Sequence, residues 1–297
     1  MGPQQGLMGS AVRLGAASDA LAALAAYVRL ETEDLPADPQ VRHLLAEVAA
    51  EVLGCDLGQA SGPAAAPVVG LARAFLRQAA ELVENPGRSG GWDRVDVPLL
   101  QSIGRLSMAI CDAVLVAEAQ LAGLGGRLAA PGARFLDVGT GTGWLAIALA
   151  RAHPGVQVVG IDVFQPALDL AAGNVAAEGL NGRVELRLQD AAELDEPDGY
   201  DAIWLPMPFL PAAAVPGVMA AAARSLRPGG WLLPGTFTGP DDRLSRLLTD
   251  LRTVRSGGHP WRPEELVAAI AGAGLADAME VPRTWPAPVR LYAGRRR

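Results

Sequence analysis

The chain has 297 residues, half of them apolar and 19% charged, which suits one large or two modest globular domains and excludes a disordered or fibrous protein. Its net charge of −7, with basic residues clustered only at Arg295 to Arg297, argues against a nucleic-acid partner, which would need a basic face for phosphates. The two cysteines, Cys55 and Cys111, are too few for a disulfide framework or a zinc site and read as small buried apolar residues.

No charged-then-apolar leader opens the chain and no apolar stretch approaches the roughly 20 residues of a membrane span, so a cytoplasmic protein without a membrane partner is expected. Met1 to Ser10, rich in Gly and Gln, is expected to fray. From Ala11 to Leu30, Val12, Leu14, Leu21, Leu24, Ala25 and Val28 recur mostly at three- and four-residue steps and predict an amphipathic helix. Asp38-Pro39 supplies a cap and a first-turn proline for a second helix, which runs to Gly54. A small-residue linker from Gly58 to Pro67 leads to a third helix, Val68 to Val83. After an irregular stretch carrying Trp92, Asp96 and Pro98 open one long helix to about Leu124, with Leu99, Ile103, Leu106, Ile110, Ala113, Ala117 and Leu121 in a single stripe. Residues 1–127 therefore read as an all-helical domain, a cap or dimerisation element, and 128–297 as a second domain.

In that second part an apolar run from Phe135 to Val138 breaks into Gly139-Thr140-Gly141-Thr142-Gly143. Trp144, Leu145, Ile147 and Leu149 follow at helical spacing, giving strand, glycine turn and helix, the layout of a ligand-binding turn. In a dinucleotide fingerprint a third small residue stands three positions after the second glycine; here that residue is Trp144, which disfavours a pyrophosphate. Asp137, at the strand's tip, repels phosphate and attracts an ammonium or sulfonium. A cationic nucleoside satisfies both conditions.

The stretch resembles the first motif of class I S-adenosylmethionine-dependent methyltransferases, in which an acidic residue precedes a GxGxG turn. The resemblance runs from about Leu128 to the C-terminus. It implies an α/β fold, a doubly wound, seven-stranded, mostly parallel Rossmann-like sheet with an antiparallel last strand. It also implies S-adenosylmethionine as cofactor, S-adenosylhomocysteine as product, and Asp137, Gly139, Thr140, Gly141 and Gly143 as the cofactor turn.

A second strand, Val156 to Ile161, ends at Asp162, where a carboxylate can accept both ribose hydroxyls. The resemblance implies that Val163, next in sequence, lies against adenine. A helix from Pro166 to Glu178 precedes an alternating strand, Arg183 to Leu188, and then Asp190 and Ala191. In the family that acidic residue receives the adenine amino group and the next backbone amide meets a ring nitrogen. The fourth strand, Tyr200 to Pro206, continues into Met207-Pro208-Phe209. By the resemblance this region faces the transferring methyl group, with Leu205 on the cofactor and Pro206, Met207 and Phe209 on the substrate. Amino-methyltransferases of nucleic-acid bases and aminopropyl transferases place a polar or acidic group there. Its absence leaves an apolar, proline-stiffened wall suited to a small organic acceptor.

A helix from Ala212 to Leu226, the Arg227-Pro228-Gly229-Gly230 turn and a fifth strand, Trp231 to Pro234, follow, and that turn closely matches the family. Beyond them come a helix from Asp241 to Val254, a loop with His259, a helix from Pro263 to Gly272, and a hairpin formed by Ala278 to Val281 and Val289 to Ala293. A sulfonium methyl is already activated, so the protein's task is alignment and water exclusion. If the acceptor is a hydroxyl or ammonium a base helps, and His259 is the candidate. Trp92, Gln101 and Arg105 of the helical half are candidate substrate contacts, and no acids or histidines show metal-ligand spacing. Three readings stay open: methyl transfer to a small-molecule oxygen or nitrogen in specialised metabolism, a cyclase or alkyl transferase releasing methylthioadenosine, and a non-catalytic cofactor-binding protein. A homodimer through the N-terminal helices is the expected assembly.

Overall fold

The computed structural model describes residues 3–54, 57–60, 65–91 and 96–297. The chain forms two compact units, Met1–Pro86 and Gly87–Arg297. Cys55 and Trp92 lie outside the described residues.

The first unit is helical: α1 (Pro3–Thr32), α2 (Pro39–Leu53) and α3 (Ala66–Glu84). α1 begins at Pro3, eight residues before the expected Ala11, because Gly6 and Gly9 each cost only about 1 kcal/mol in a helix this long. The second helix is capped as its sequence dictates. The Asp38 carboxylate accepts from the amides of Gln40 and Val41 at 2.8 and 3.2 Å, and Gly54 ends the helix at a φ of 67°. Tyr27, Val28, Ala49, Ala60 and Val69 form this unit's core.

The second unit opens with α4 (Val97–Leu106), α5 (Met108–Gln120) and α6 (Leu124–Leu128) where one long helix was expected. Ser107 breaks the run: its amide and hydroxyl both donate to the Gly104 carbonyl, at 2.9 and 2.6 Å, taking the acceptor a continuing helix would use. The unit boundary also falls at Pro86, against the expected Arg127. α5 and α6 bury Cys111, Val114, Ala117, Leu121, Leu124 and Leu128 in the same core as the sheet, so they belong to it. The run from Val97 to Gln120, 28% buried, and Gly6–Thr32 in α1, 17% buried, each match a membrane span by length and composition, where the sequence reading expected no stretch of that kind.

Seven strands form one sheet in the order β3-β2-β1-β4-β5-β7-β6. They are β1 (Arg134–Val138), β2 (Gln157–Asp162), β3 (Val184–Leu188), β4 (Tyr200–Pro206), β5 (Leu226–Phe237), β6 (Ala276–Glu280) and β7 (Val289–Arg295). The first five are parallel, and β7 runs antiparallel between β5 and β6. β5 is longer than expected because Leu226 already pairs with Tyr200, and the Arg-Pro-Gly-Gly turn is a bulge within the strand. Helices α7 (Trp144–Ala152), α8 (Gln165–Ala177), α9 (Val215–Ser225), α10 (Arg243–Arg255) and α11 (Pro263–Gly272) complete the unit.

Alternation along the strands fills two layers. Phe135, Ala202, Trp204 and Leu233 pack with α5 and α7, while Leu136, Val138, Ile203 and Leu205 pack with α9 and α11. The chain leaves β1 for β2 on one side and returns to β4 on the other. The crevice at their carboxyl ends is the topological switch point, where such sheets bind ligands.

Candidate functional site

At that switch point β1 ends in the glycine turn. Gly139, Gly141 and Gly143 sit at φ of 63°, 55° and 80°, left-handed values that any residue with a Cβ resists. A Cβ on Gly139 would also lie 3.0 Å from the Pro206 ring, and one on Gly143 3.1 Å from the Ala171 side chain. The turn is thus pressed between the end of β4 and α8.

Two carboxylates brace it. Asp137 is only 1% exposed, and its oxygen accepts from the Thr140 hydroxyl at 2.7 Å. Gly160, beside Asp137 on β2, makes the space: a Cβ there would stand 2.7 Å from the Thr140 oxygen. Burial, with the nearby Asp162 charge adding to it, pushes the Asp137 carboxyl up to about 7. Asp162 accepts from the Gly141 amide at 2.8 Å through one oxygen and from the Phe164 amide at 2.9 Å through the other. Burial raises its pKa, against the pull of those amides. The Val163 amide pulls the same way, so three backbone donors tie this carboxylate to the turn and leave capacity for a further donor.

Around this centre the expected residues divide. Val163 is 69% exposed beside Asp162, an apolar surface open to a flat ring. Asp190 is exposed and caps the short 3-10 turn that follows β3, accepting from the Ala192 amide at 2.8 Å, with Ala191 buried behind it. Leu205 and Met207 are corrections. Both are 0% exposed: the alternation of β4 sends Leu205 into the α9–α11 core with Ile203, and Met207, in the 3-10 turn that follows the strand, packs in the same core. Pro206, on the opposite face, stays at the turn. Phe209 meets Phe237 edge to face with centroids 5.7 Å apart.

Gln101 and Arg105 are a second correction. The Gln101 carbonyl oxygen accepts from the Trp144 indole at 2.8 Å and from the Asn174 amide at 3.1 Å, and its own amide donates back to Asn174 at 3.1 Å. Asn174 also donates to the Thr142 carbonyl at 2.8 Å, and the Arg105 guanidinium lies 5.1 Å over the Trp144 ring. Both side chains are engaged with residues around the turn. Gly104 lets α4 seat there, since a Cβ would come within 1.9 Å of the Thr142 hydroxyl oxygen. The sequence reading missed Gly104, Asn174 and Gly160; a glycine inside an amphipathic helix was the one available signal of close approach.

His259 is exposed, in a loop whose Gly258 abuts the end of β4: a Cβ at 258 would fall 2.3 Å from the Pro208 carbonyl oxygen. Its ring meets Trp261 edge to face at 4.9 Å. Beside it, beyond the ends of β5 and β7, lies a cleft of about 220 Å³ lined by Pro208, Phe237, His259, Trp261, Arg246 and Arg290 among others. Among the described residues no three His, Cys, Asp or Glu side chains gather as a metal site.

A mostly parallel, doubly wound sheet whose switch point carries a braced glycine turn defines a Rossmann-like α/β protein with its ligand crevice at that turn. The methyltransferase-domain family matches residues 135–230. Demethylmenaquinone methyltransferase of Thermus thermophilus is 38% identical over 159 residues, 49% of this chain and 71% of that one. The chain belongs to the class I methyltransferase family. Nocamycin O-methyltransferase of Saccharothrix syringae is 39% identical over 112 residues, 37% of this chain and 39% of that one. The chain spans about half the length of the first curated relatives it matches, 54% and 45% of them. An O-methyltransferase family protein from Burkholderia thailandensis shares the fold, with a TM-score of 0.65 at 19% identity, covering 97% of this chain and 98% of that one.

Proposed function

We propose that this protein transfers a methyl group from S-adenosylmethionine to an oxygen or nitrogen of a small organic acceptor, in specialised metabolism and in the cytoplasm. The observation that carries the reading is the Gly141 amide bound to Asp162 across the glycine turn, which sets a carboxylate where a ribose diol binds and a phosphate is repelled. The residues present fit the cofactor: two buried or half-buried carboxylates suit a cation, and the missing Cβ of Gly139 keeps the crevice open under Pro206. The nocamycin enzyme, as its name states, is an O-methyltransferase, and its likeness supports an oxygen acceptor.

Asp162 holds the ribose, Val163 covers adenine, and Asp190 with the Ala191 amide meets the adenine edge. Gly139, Thr140, Gly141 and Gly143 bring backbone to the amino-acid end, with Asp137 behind them. When bound, S-adenosylmethionine supplies a sulfonium methyl: the acceptor's bond to carbon forms as the carbon–sulfur bond breaks, and the electron pair leaves with sulfur. Pro206 and Phe209 wall the reaction off from water. His259 takes the proton of an acceptor hydroxyl. The helical unit acts as a homodimer contact, supported by the exposed Val41, Leu44, Val48 and Val52 on one side of α2. The net charge of −7 supports a small-molecule acceptor over a nucleic acid.

Incubation with S-adenosylmethionine, alone and with a panel of phenols, alcohols and amines, tests the reading. Acceptor-dependent S-adenosylhomocysteine is the expected product. Methylthioadenosine formed without acceptor would assign a cyclase instead, and neither product together with no cofactor binding would leave a non-catalytic role.

A further inference from the structure

The cleft beside His259 constrains what the acceptor is. Resting on the methyl-transfer reading, we propose that this cleft takes the reacting end of the acceptor, and that this end is one planar aromatic ring carrying a hydroxyl and, opposite it, a carboxylate or comparable anion. A ring hydroxyl is placed at His259 and the anion at Arg290.

Size sets the first limit. A cavity of about 150 Å³ holds benzene, and the cleft measures about 220 Å³, which accommodates one substituted ring. Its faces suit a flat occupant, because Phe237, His259 and Trp261 contribute aromatic planes and Pro208, Pro260 and Pro263 rigid ones.

Charge sets the second. Arg246, Arg262 and Arg290 line the cleft, each facing a carboxylate, Asp241, Asp250 and Glu280 in turn. The carboxylate partners of two of these arginines are loosely held. Asp241, bound to Arg246, has its side chain 93% exposed, and Glu280 stands 3.4 Å from Arg290 with both side chains more than a third exposed. Surface pairs of this kind contribute little, so an incoming carboxylate that meets a guanidinium with both oxygens replaces them at small cost. The Tyr292 hydroxyl is hydrogen-bonded to both Arg290 and Thr236, which holds that end polar.

Span agrees with both. Gly258 fixes His259 beside Pro208 at the end of β4, while Arg290 sits on β7, two strands away in the order β4-β5-β7. Neighbouring strands are about 4.8 Å apart, so β4 and β7 are separated by about 10 Å. One ring with groups at opposite ends, plus a hydrogen bond at each, covers that distance.

The test uses the full chain. Calorimetric binding of S-adenosylmethionine comes first, and its absence overturns the methyl-transfer reading rather than this inference. With binding established, 4-hydroxybenzoate, 4-hydroxybenzamide and a neutral three-ring flavonoid are compared by S-adenosylhomocysteine formation. The carboxylate is expected to exceed the amide at least tenfold in kcat/KM, and Arg290→Leu to erase that preference through KM with cofactor affinity unchanged. Arg290→Lys is expected to restore part of it. Equal or better turnover of the amide or the flavonoid, an undiminished preference in Arg290→Leu, or failure of 2-, 3- and 4-hydroxybenzoate alike to bind the cofactor-loaded protein would overturn the assignment.

Discussion

Asp162 holds the Gly141 and Phe164 amides, and on the proposed function it also takes the ribose. Asp162→Ala is expected to weaken S-adenosylmethionine binding by about 1–3 kcal/mol, read by calorimetry, through lost charged hydrogen bonds. Asp137 behaves differently because it is fully buried. Its carboxyl is raised to about 7 by burial, so the folded protein holds a proton that the unfolded chain has released above pH of about 4. The carboxyl therefore subtracts stability progressively as pH climbs from about 4 to 7, and the loss is complete above that. Asp137→Asn is expected to raise the melting temperature at pH 8 and leave it unchanged at pH 4. Once ionised, Asp137 favours a sulfonium over a neutral thioether, so the affinity ratio of S-adenosylmethionine to S-adenosylhomocysteine should grow between pH 6 and 8 and flatten in that variant. His259→Ala is expected to lower kcat by 10²–10⁴ with cofactor affinity intact.

Two glycines govern how whole elements meet the site. Gly104→Ala places a Cβ 1.9 Å from the Thr142 oxygen, so α4 can no longer seat on the turn, and both melting temperature and cofactor affinity should fall. Gly258→Ala collides with the Pro208 carbonyl and displaces the loop bearing His259, so turnover should fall while cofactor binding, measured by calorimetry, holds. The sequence exposed the elements better than their meetings. β1, the glycine turn and Asp162 were legible because strand, left-handed glycines and a terminal carboxylate are local patterns. The break at Ser107 was hidden because the apolar stripe runs through it and only the hydroxyl's capture of the Gly104 carbonyl interrupts the ladder. Leu205 and Met207 were misplaced because a motif fixes a stretch of chain, whereas strand alternation and the turn that follows decide which side chains leave the core. Gln101 and Arg105 were read as ligand contacts because their partners, Trp144 and Asn174, come from elements far along the chain.

At the scale of the molecule the chain holds two separate cores. Among the described residues Tyr27, Val28 and Val69 form the cluster of Met1–Pro86, much smaller than the one around Phe135 and Leu145 in Gly87–Arg297. Scanning calorimetry of the full chain should therefore resolve two transitions, with S-adenosylmethionine raising only the one that belongs to Gly87–Arg297. A single transition moving as one unit would show that the units unfold together.

The sandwiching of Trp144 has a practical side. Its indole is bonded to Gln101, lies under the Arg105 guanidinium and is 8% exposed, so this one chromophore of the six tryptophans registers any lifting of α4 from the turn. The protein thus carries its own fluorescent gauge: emission followed in a stopped-flow instrument, with Gln101→Leu as the silenced control, would time nucleoside arrival and departure without a label.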